Sequence, residues 1–226
     1  MTRPFAFACA AAALALPSLA AADVVEQGED SFVTRETRIV EASPREAWMA
    51  LISPGKWWTD DHTWSGDAVN MSLTPQAGGC FCERIPEVET RDKVGLAGSV
   101  QHMIVVYAAP DEALRMRGAL GPLQSEAVTG VLTIAFEAVD QGTSITFEYV
   151  VDGYMRYEVP TISKAVDGVM TQQLEGLAEL LGAVDAPAEA PADDAATGAA
   201  DAPVEDTPAE QDGPTVDEAF GDLTDD

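Results

Sequence analysis

Residues 37–58 read TRIVEASPREAWMALISPGKWW and place a strand, a helix and a helix stop in direct succession. The first residues are rich in β-branched side chains, which is typical of a strand. Ser43 can then cap a helix, because Pro44 suits the first helical position and Glu46 completes a capping box. Pro54 and Gly55 end that helix, and a second short helix or turn follows.

On both sides of this stretch the pattern favours strands. Upstream the β-branched run reaches back to Ser31, and downstream the hydrophobic period changes to two. Residues 131–138 and 145–149 each alternate apolar and polar side chains, and the short turn between them indicates an antiparallel hairpin. We expect strands at residues 31–42, 68–73, 79–85, 99–108, 113–119, 128–139 and 143–151.

A long amphipathic helix closes the pattern, beginning near Pro160 and ending at Gly182. Its apolar side chains recur every three or four residues, at Ile162, Val166, Val169, Met170, Leu174, Leu177 and Leu181. A sheet with one apolar face needs a cover, and this helix is long enough to provide it. The sequence therefore predicts an α+β fold: a curved antiparallel sheet of about seven strands on a long C-terminal helix, with two short helices after the first strand.

The N-terminus has the features of a secretory signal peptide at residues 1–22. Arg3 precedes an apolar run at residues 5–16, and Ala20-Ala21-Ala22 suits cleavage. We expect a periplasmic or secreted protein, processed near Ala22, with a linker at residues 23–30. No later segment is apolar for the roughly 20 residues that a membrane span needs, so no membrane insertion is expected.

Residues 185–226 form an acidic tail rich in alanine and proline. They hold 14 of the 39 acidic residues and neither Lys nor Arg, so we expect disorder with a role in solubility and spacing. Val216, Phe220 and Leu223 recur at helical spacing and are candidates for docking to a protein partner. The net charge of −27 argues against binding to nucleic acid or anionic membranes.

The order of elements, with these residues, resembles the helix-grip fold of the START-like (SRPBCC) superfamily. The match begins in residues 37–58 and continues with WSGDAVNMSL at 64–73, AGGCFCE at 77–83, VQHMIVVYAAP at 100–110 and RGALGPLQSEAVTG at 117–130. These motifs are similar to those of exported proteobacterial members of the superfamily. The resemblance assigns residues 31–184 to one START-like domain, although the fold alone does not identify a function.

The resemblance implies a cavity between the curved sheet and the long helix that binds a small apolar molecule. Its walls should come from the inward faces of the strands and the apolar stripe of the helix, with core packing as the alternative role of each side chain. The candidate ligand-binding residues are Trp48, Trp58, Leu73, Met103, Val105, Tyr107, Leu132, Ile134, Phe136, Phe147, Tyr149, Val166, Met170 and Leu174.

Cys80 and Cys82 are the cysteines that remain after residue 22. In a regular strand their side chains share a face and their Cα atoms lie ~6.5 to 7 Å apart, at the upper limit for a disulfide. If residues 79–86 pair with residues 98–108 and the numbers of opposed residues sum to about 184, Cys82 faces His102, and Glu83 points to the other face. Three roles stay open: a structural or strained disulfide, a redox or metal site made by Cys80, Cys82 and His102, and a nucleophile or ligand contact.

Other polar residues are weaker candidates. His62 lies in TDDHTW at residues 59–64, which predicts a solvated turn, and with Asp60 and Asp61 it is a minor candidate for a surface cation. Polar groups near strand ends that can orient a ligand are Tyr107, Arg117, Glu126 and Tyr154. No phosphate loop, paired-carboxylate motif or Ser-His-Asp order is present, and we expect no cofactor.

Three functions follow from these observations. The first is a periplasmic carrier or sensor of a small hydrophobic ligand. The second is a cyclase, dehydratase or hydrolase that uses the same cavity. The third is a metal- or redox-handling protein built on the cysteine pair, or an interaction module that uses the tail.

Overall fold

The computed structural model describes residues 23–88 and 95–184. The strands are β1 (Asp23–Gln27), β2 (Ser31–Val40), β3 (Met71–Leu73), β4 (Cys80–Ile85), β5 (Gly98–Ala109), β6 (Ala113–Gly118), β7 (Ala127–Val139) and β8 (Gly142–Tyr154), and the α-helices are α1 (Pro44–Leu51) and α2 (Val159–Leu181). The strands form one sheet in the order β1-β2-β8-β7-β6-β5-β4-β3. The predicted α+β helix-grip fold is confirmed. The predicted signal peptide and tail lie outside the described residues.

The transition from β2 to α1 has the expected capping box. The Ser43 side chain accepts from the Glu46 backbone N–H, and the Glu46 carboxylate accepts from the Ser43 N–H at 2.9 Å. Pro44 occupies the first turn, where its missing N–H costs nothing. Ala47, Trp48 and Leu51 form the buried face of the helix. Local chemistry therefore sets the start of α1, and burial of one apolar face holds it on the sheet.

The sheet has eight strands, where about seven were expected. The additional strand is β1, which pairs with β2 through residues assigned to a linker by the sequence. The segment expected as a strand at residues 68–73 is divided: residues 68–70 form a 3₁₀ turn, and only β3 pairs with β4. The Asp67 side chain accepts from the Val69 N–H, and this capping bond favours the turn.

An irregularity in the β4–β5 ladder changes which side chains face inward. Phe81 pairs with Met103, but Cys82 pairs with Gln101, so His102 is the extra residue of a bulge. His102 and Met103 are both buried, although neighbouring residues in a regular strand face opposite sides. The constant register assumed from the sequence is therefore wrong beyond Phe81.

Helix α2 packs against β1 and β2 and is anchored at its end. Gly182 has a left-handed backbone with φ of 80°, which suits glycine at a helix terminus. Its carbonyl accepts from the Glu41 N–H at 2.8 Å, and the Val184 N–H donates to the Ile39 carbonyl at 2.9 Å. Within the described residues, no helix is long and apolar enough to cross a membrane.

A row of aromatic rings fills the space between the middle of the sheet and the helices. Ring centroids lie 6.3 Å apart for Phe147 and Trp57, 5.5 Å for Trp57 and Trp58, and 5.2 Å for Trp58 and Phe81. His102 continues the row at 5.4 Å from Phe81. The two indole N–H groups donate to backbone carbonyls, so the tryptophans are buried without an unpaired donor. We call these five residues the aromatic row.

Candidate functional site

A cavity of about 310 Å³ lies beside the first half of α2. The segment after α1 and the connection between β6 and β7 form its other walls, and His102 is the contribution of the sheet. The lining residues are Trp58, Asp61, His62, Thr63, Trp64, His102, Leu120, Gly121, Pro122, Ile162, Ala165, Val166, Val169 and Met170. The wall is mainly apolar, and two histidines interrupt it.

Three of the residues that the sequence predicted to contact a ligand line this cavity: Trp58, Val166 and Met170. The other eleven do not line it. Tyr107 is 47% exposed and Leu73 packs partly buried against the core. The remaining nine are buried in the core, namely Trp48, Met103, Val105, Leu132, Ile134, Phe136, Phe147, Tyr149 and Leu174.

The aromatic row explains why the cavity lies toward one end of α2. Trp57 packs on Phe147 of β8, and Trp48 packs on Phe136 of β7 at a centroid distance of 6.3 Å. Phe147 and Phe136 belong to the third and fourth strands of the sheet order, so these rings fill space beside its middle strands, and Leu174 is also completely buried. A hydrophobic pattern does not distinguish a filled interior from an empty one, because both need apolar side chains on the inward face.

His102 is held on the cavity wall by a buried carboxylate. Its Nε2 lies 3.0 Å from Oε2 of Glu83, and because a carboxylate only accepts, Nε2–H donates. Glu83 also accepts from the backbone N–H of Trp64 at 3.1 Å and from that of Ser65. The expectation that Glu83 points away from His102 is wrong, because the bulge turns His102 to the same face.

The other nitrogen of His102 joins a polar chain that returns to Trp64. Nδ1 lies 3.3 Å from the amide nitrogen of Gln124, and the amide oxygen of Gln124 accepts from the indole N–H of Trp64 at 3.1 Å. The indole only donates, so it determines the orientation of the amide, and Nδ1 must accept. Trp64, Glu83, His102 and Gln124 thus form a closed set of hydrogen bonds, here called the polar ring.

The protonation states in the polar ring follow from burial and hydrogen bonding. Burial lowers the pKa of His102, and the hydrogen bond and charge of Glu83 offset this only in part. Burial acts to raise the pKa of Glu83, but hydrogen bonds from Ser65, Trp64 and His102 together outweigh it and lower the pKa. Near neutral pH the pair is therefore a neutral imidazole beside a carboxylate.

His62 is held by α2, in contrast to the solvated turn that the sequence predicted. Its Nδ1 lies 2.7 Å from the amide nitrogen of Gln173, a fully buried side chain. The amide oxygen of Gln173 accepts from the backbone N–H of Thr59 at 2.9 Å. The only two histidines of the chain, 40 positions apart in sequence, thus line one cavity.

The cysteines form a disulfide with each other, with Cα atoms 5.4 Å apart. They alternate with the buried Phe81 and Glu83, so they face the opposite side of the sheet from His102. The prediction of a metal site at Cys80, Cys82 and His102 is therefore wrong. Among the described residues, no group of three or more His, Cys, Asp or Glu side chains is arranged to hold a metal ion, which also removes the surface cation site at His62.

Polar residues predicted near the cavity mouth lie elsewhere. Glu126 pairs with Arg156 at 2.5 Å, and the hydrogen bonds from this guanidinium lower the pKa of Glu126 to about 2. Tyr107, Arg117 and Tyr154 are exposed, and none of them lines the cavity. The polar residues that do line it were missed as ligand contacts. The sequence did contain a signal for His102: a histidine inside the apolar run of β5 indicates a buried side chain that needs a polar partner.

Comparison with known proteins identifies the family to which the chain belongs. A family model described as polyketide cyclase / dehydrase and lipid transport matches residues 31–182. The chain belongs to this family. The match confirms the START-like (SRPBCC) assignment, and the family description covers the binding of hydrophobic molecules and cyclase-type chemistry.

Distant solved structures also match. One from Rhizobium leguminosarum is 22% identical, with a TM-score of 0.47 over 67% of this chain and 95% of that chain. One from Mesorhizobium loti is 18% identical, with a TM-score of 0.46 over 66% and 96%. The di-domain ARO/CYC StfQ of the steffimycin biosynthetic pathway is 9% identical, with a TM-score of 0.47 over 68% and 51%. These likenesses are too distant to indicate a function. No curated protein matches the chain.

Proposed function

We propose that this protein binds a small, mainly apolar molecule in the cavity beside α2 and acts as a carrier or sensor for it. The observation that supports this is the cavity itself, whose volume of about 310 Å³ lies at the lower end of the range for small-molecule sites. Trp58, Val166 and Met170 give it an apolar wall. The polar groups on the wall are few, as in sites that use hydrophobic contact for affinity and a few polar atoms for orientation.

A substitution that fills the cavity tests this proposal. Val166 lines the cavity and is only partly buried, so in Val166→Trp the new ring has space to enter. The affinity for the fluorescent apolar probe N-phenyl-1-naphthylamine should fall about tenfold or more, which is a loss of about 1.4 kcal/mol. Overpacking costs ~1 to 3 kcal/mol, so the melting temperature should fall by no more than about 10 °C.

The matched control is Leu180→Trp, which introduces the same side chain on the exposed face of the same helix. This variant should keep both the probe affinity and the melting temperature of the natural protein. The proposal is wrong if Val166→Trp unfolds at a much lower temperature while its folded form binds the probe as tightly as before.

The polar ring supports an enzymatic alternative, a cyclase- or dehydratase-type reaction in the same cavity. Glu83 and His102 form a carboxylate–imidazole pair at the wall, and such a pair can move a proton when a ligand replaces Gln124 at Nδ1 of His102. Native mass spectrometry distinguishes the two functions. The natural protein and His102→Gln are each produced in the organism from which the protein comes, and are purified with any bound molecule. A carrier retains the same molecule in both proteins, whereas an enzyme accumulates a different molecule, its substrate, in the variant.

We also propose that the protein works after export, in the periplasm or outside the cell. The signal-like residues 1–22 and the Cys80–Cys82 disulfide support this, because disulfides persist in oxidising compartments. N-terminal sequencing of the protein from the periplasm or medium should give Asp23 as the first residue. Recovery of a cytoplasmic form that begins at Met1, with none exported, would contradict the proposal. A protein partner for the acidic tail stays a prediction.

A further inference from the structure

The orientation of Gln173 determines which nitrogen of His62 carries a proton. The amide oxygen of Gln173 accepts from the Thr59 backbone N–H at 2.9 Å, which leaves its amide nitrogen 2.7 Å from Nδ1 of His62. Turning the amide over would bring two N–H donors together at Thr59, inside a region where Gln173 is fully buried. Nδ1 of His62 therefore accepts, and the proton of the neutral ring is on Nε2.

The Nε2–H group of His62 is a donor for which no described residue provides an acceptor. Within residues 23–88 and 95–184 it makes no hydrogen bond, although the ring lines the cavity. His102 differs, because Glu83 and Gln124 take up both of its nitrogens. The two histidines on the wall therefore have different roles. Both ring nitrogens of His102 are hydrogen-bonded to neighbouring side chains, whereas the Nε2–H group of His62 can donate to a ligand.

We propose that Nε2–H of His62 donates a hydrogen bond to an uncharged acceptor oxygen of the ligand, such as a carbonyl. This inference rests on the proposed function, since it names the polar group by which the same cavity orients its ligand. The acceptor is uncharged because Asp61 also lines the cavity and the carboxylate of Glu83 lies behind His102, so an anionic ligand would meet two negative groups. His62 thereby selects among apolar molecules of equal shape.

Two naphthalenes of nearly equal shape test the selection. In 2-acetylnaphthalene a carbonyl oxygen occupies the position of the =CH₂ group of 2-isopropenylnaphthalene. Their affinities are measured on the full chain by displacement of N-phenyl-1-naphthylamine, and the ratio of the two dissociation constants is compared between the natural protein and His62→Phe. The substitution should reduce the preference for the ketone about fivefold, the effect of one ordinary hydrogen bond. Comparing ratios cancels the different hydration of the two probes.

A second measurement needs no variant and keeps the test valid if His62→Phe does not fold. Long-range ¹H–¹⁵N spectra of the full chain distinguish a protonated from an unprotonated ring nitrogen. We expect the His62 proton on Nε2, with a resonance that shifts when 2-acetylnaphthalene is added and stays nearly constant with 2-isopropenylnaphthalene. A proton on Nδ1, or equal responses to the two probes, would overturn the inference.

The outcomes separate the two proposals. If all three probes bind and the ratio of affinities is the same in His62→Phe, the role of His62 is wrong and the proposed function stands. If none of the probes binds the natural protein, the cavity is not an apolar site, and both proposals are overturned.

Discussion

Two features keep the His102 ring neutral: its burial, and the hydrogen bond that its Nδ1 accepts from Gln124. Its Nδ1 accepts from the amide nitrogen of Gln124, and that amide cannot turn over without losing the indole donor of Trp64. A proton on Nδ1 therefore breaks one hydrogen bond of the polar ring, whichever way Gln124 points. Among the described residues, Glu83 of β4 contacts His102, and the other titratable groups on the same cavity wall are Asp61 and His62.

This arrangement predicts how stability depends on pH. The pKa of His102 is lowered by burial below its ordinary value of 6.5, so the unfolded chain takes up a proton at a higher pH than the folded protein does. The contribution of His102 is therefore fully present above pH 6.5 and is lost as the pH falls below it. The free energy of unfolding, measured by urea titration between about pH 7.5 and 5, should decrease toward acid.

The control for this prediction is His102→Gln, which does not titrate at this position. Its decrease in unfolding free energy over the same range should be smaller than that of the natural protein. The pKa values of Glu83 and Glu126 are lowered from 4.5, below this range, and the rest of the chain is the same in both proteins, so a difference in slope comes from position 102. Equal slopes in the two proteins would show that His102 is not held neutral in the fold.

At the scale of elements, α2 approaches its neighbours closely at one glycine and not at another. A Cβ at Gly176 would be too close to the Trp57 carbonyl oxygen, so the absence of a side chain lets the helix lie against the aromatic row. Gly168 is in the same helix, is exposed, and has open space where a Cβ would be. The two positions differ in packing and share the same backbone conformation.

Alanine at these two positions should have opposite effects. Gly168→Ala should raise the free energy of unfolding by about 0.5–1 kcal/mol, because alanine favours a helix over glycine by that amount. Gly176→Ala gains the same helix propensity but should lower the free energy of unfolding by about 1–3 kcal/mol, since backbone must move away from the new methyl group. Thermal and urea unfolding of both variants measures the difference. A stabilised Gly176→Ala would mean that α2 lies further from Trp57.

For the whole molecule, the question is whether the acidic tail contributes to stability. Within the described residues, the hydrogen bonds that join the end of α2 to β2 and the two residues after it involve Leu181, Gly182 and Val184, so a chain that ends at Asp185 keeps them. The tail sequence offers little apolar surface for burial. Truncation after Asp185 should therefore change the melting temperature by no more than about 3 °C, measured by calorimetry beside the full chain. A broad transition without cooperativity in the truncated protein would show that the tail is part of the fold.

Much of the fold was predictable because its signals are local. The capping box at Ser43 and Glu46, the alternation in β7 and β8, and the glycine that ends α2 each depend on residues a few positions apart. Strand β1 was missed because its five residues of mixed polarity show no clear hydrophobic period. It is a strand because its backbone pairs with β2, and this pairing cannot be read from the pattern of the segment.

The candidate site was only partly predictable. The helical stripe identified Val166 and Met170, because a residue that faces the sheet also faces any space left beside it. His62 and His102 were not predicted as partners in one cavity, since a loop and a bulge place them there. One extra residue in β5 reverses which side chains meet across the ladder, and no pattern within a single strand reveals it.

The sequence by itself determined the order of the elements from β2 to α2 and the buried faces of α1, β7, β8 and α2, because these depend on periodicity and on capping within a few residues. Only the tertiary structure decided where the interior is filled and where it is open. The aromatic row fills the space between the middle of the sheet and the helices. The polar contacts of Gln173, Glu83 and Gln124 orient the two histidines at the cavity that remains. Those contacts join residues 19 to 111 positions apart, and their geometry exists only when the sheet and α2 have packed.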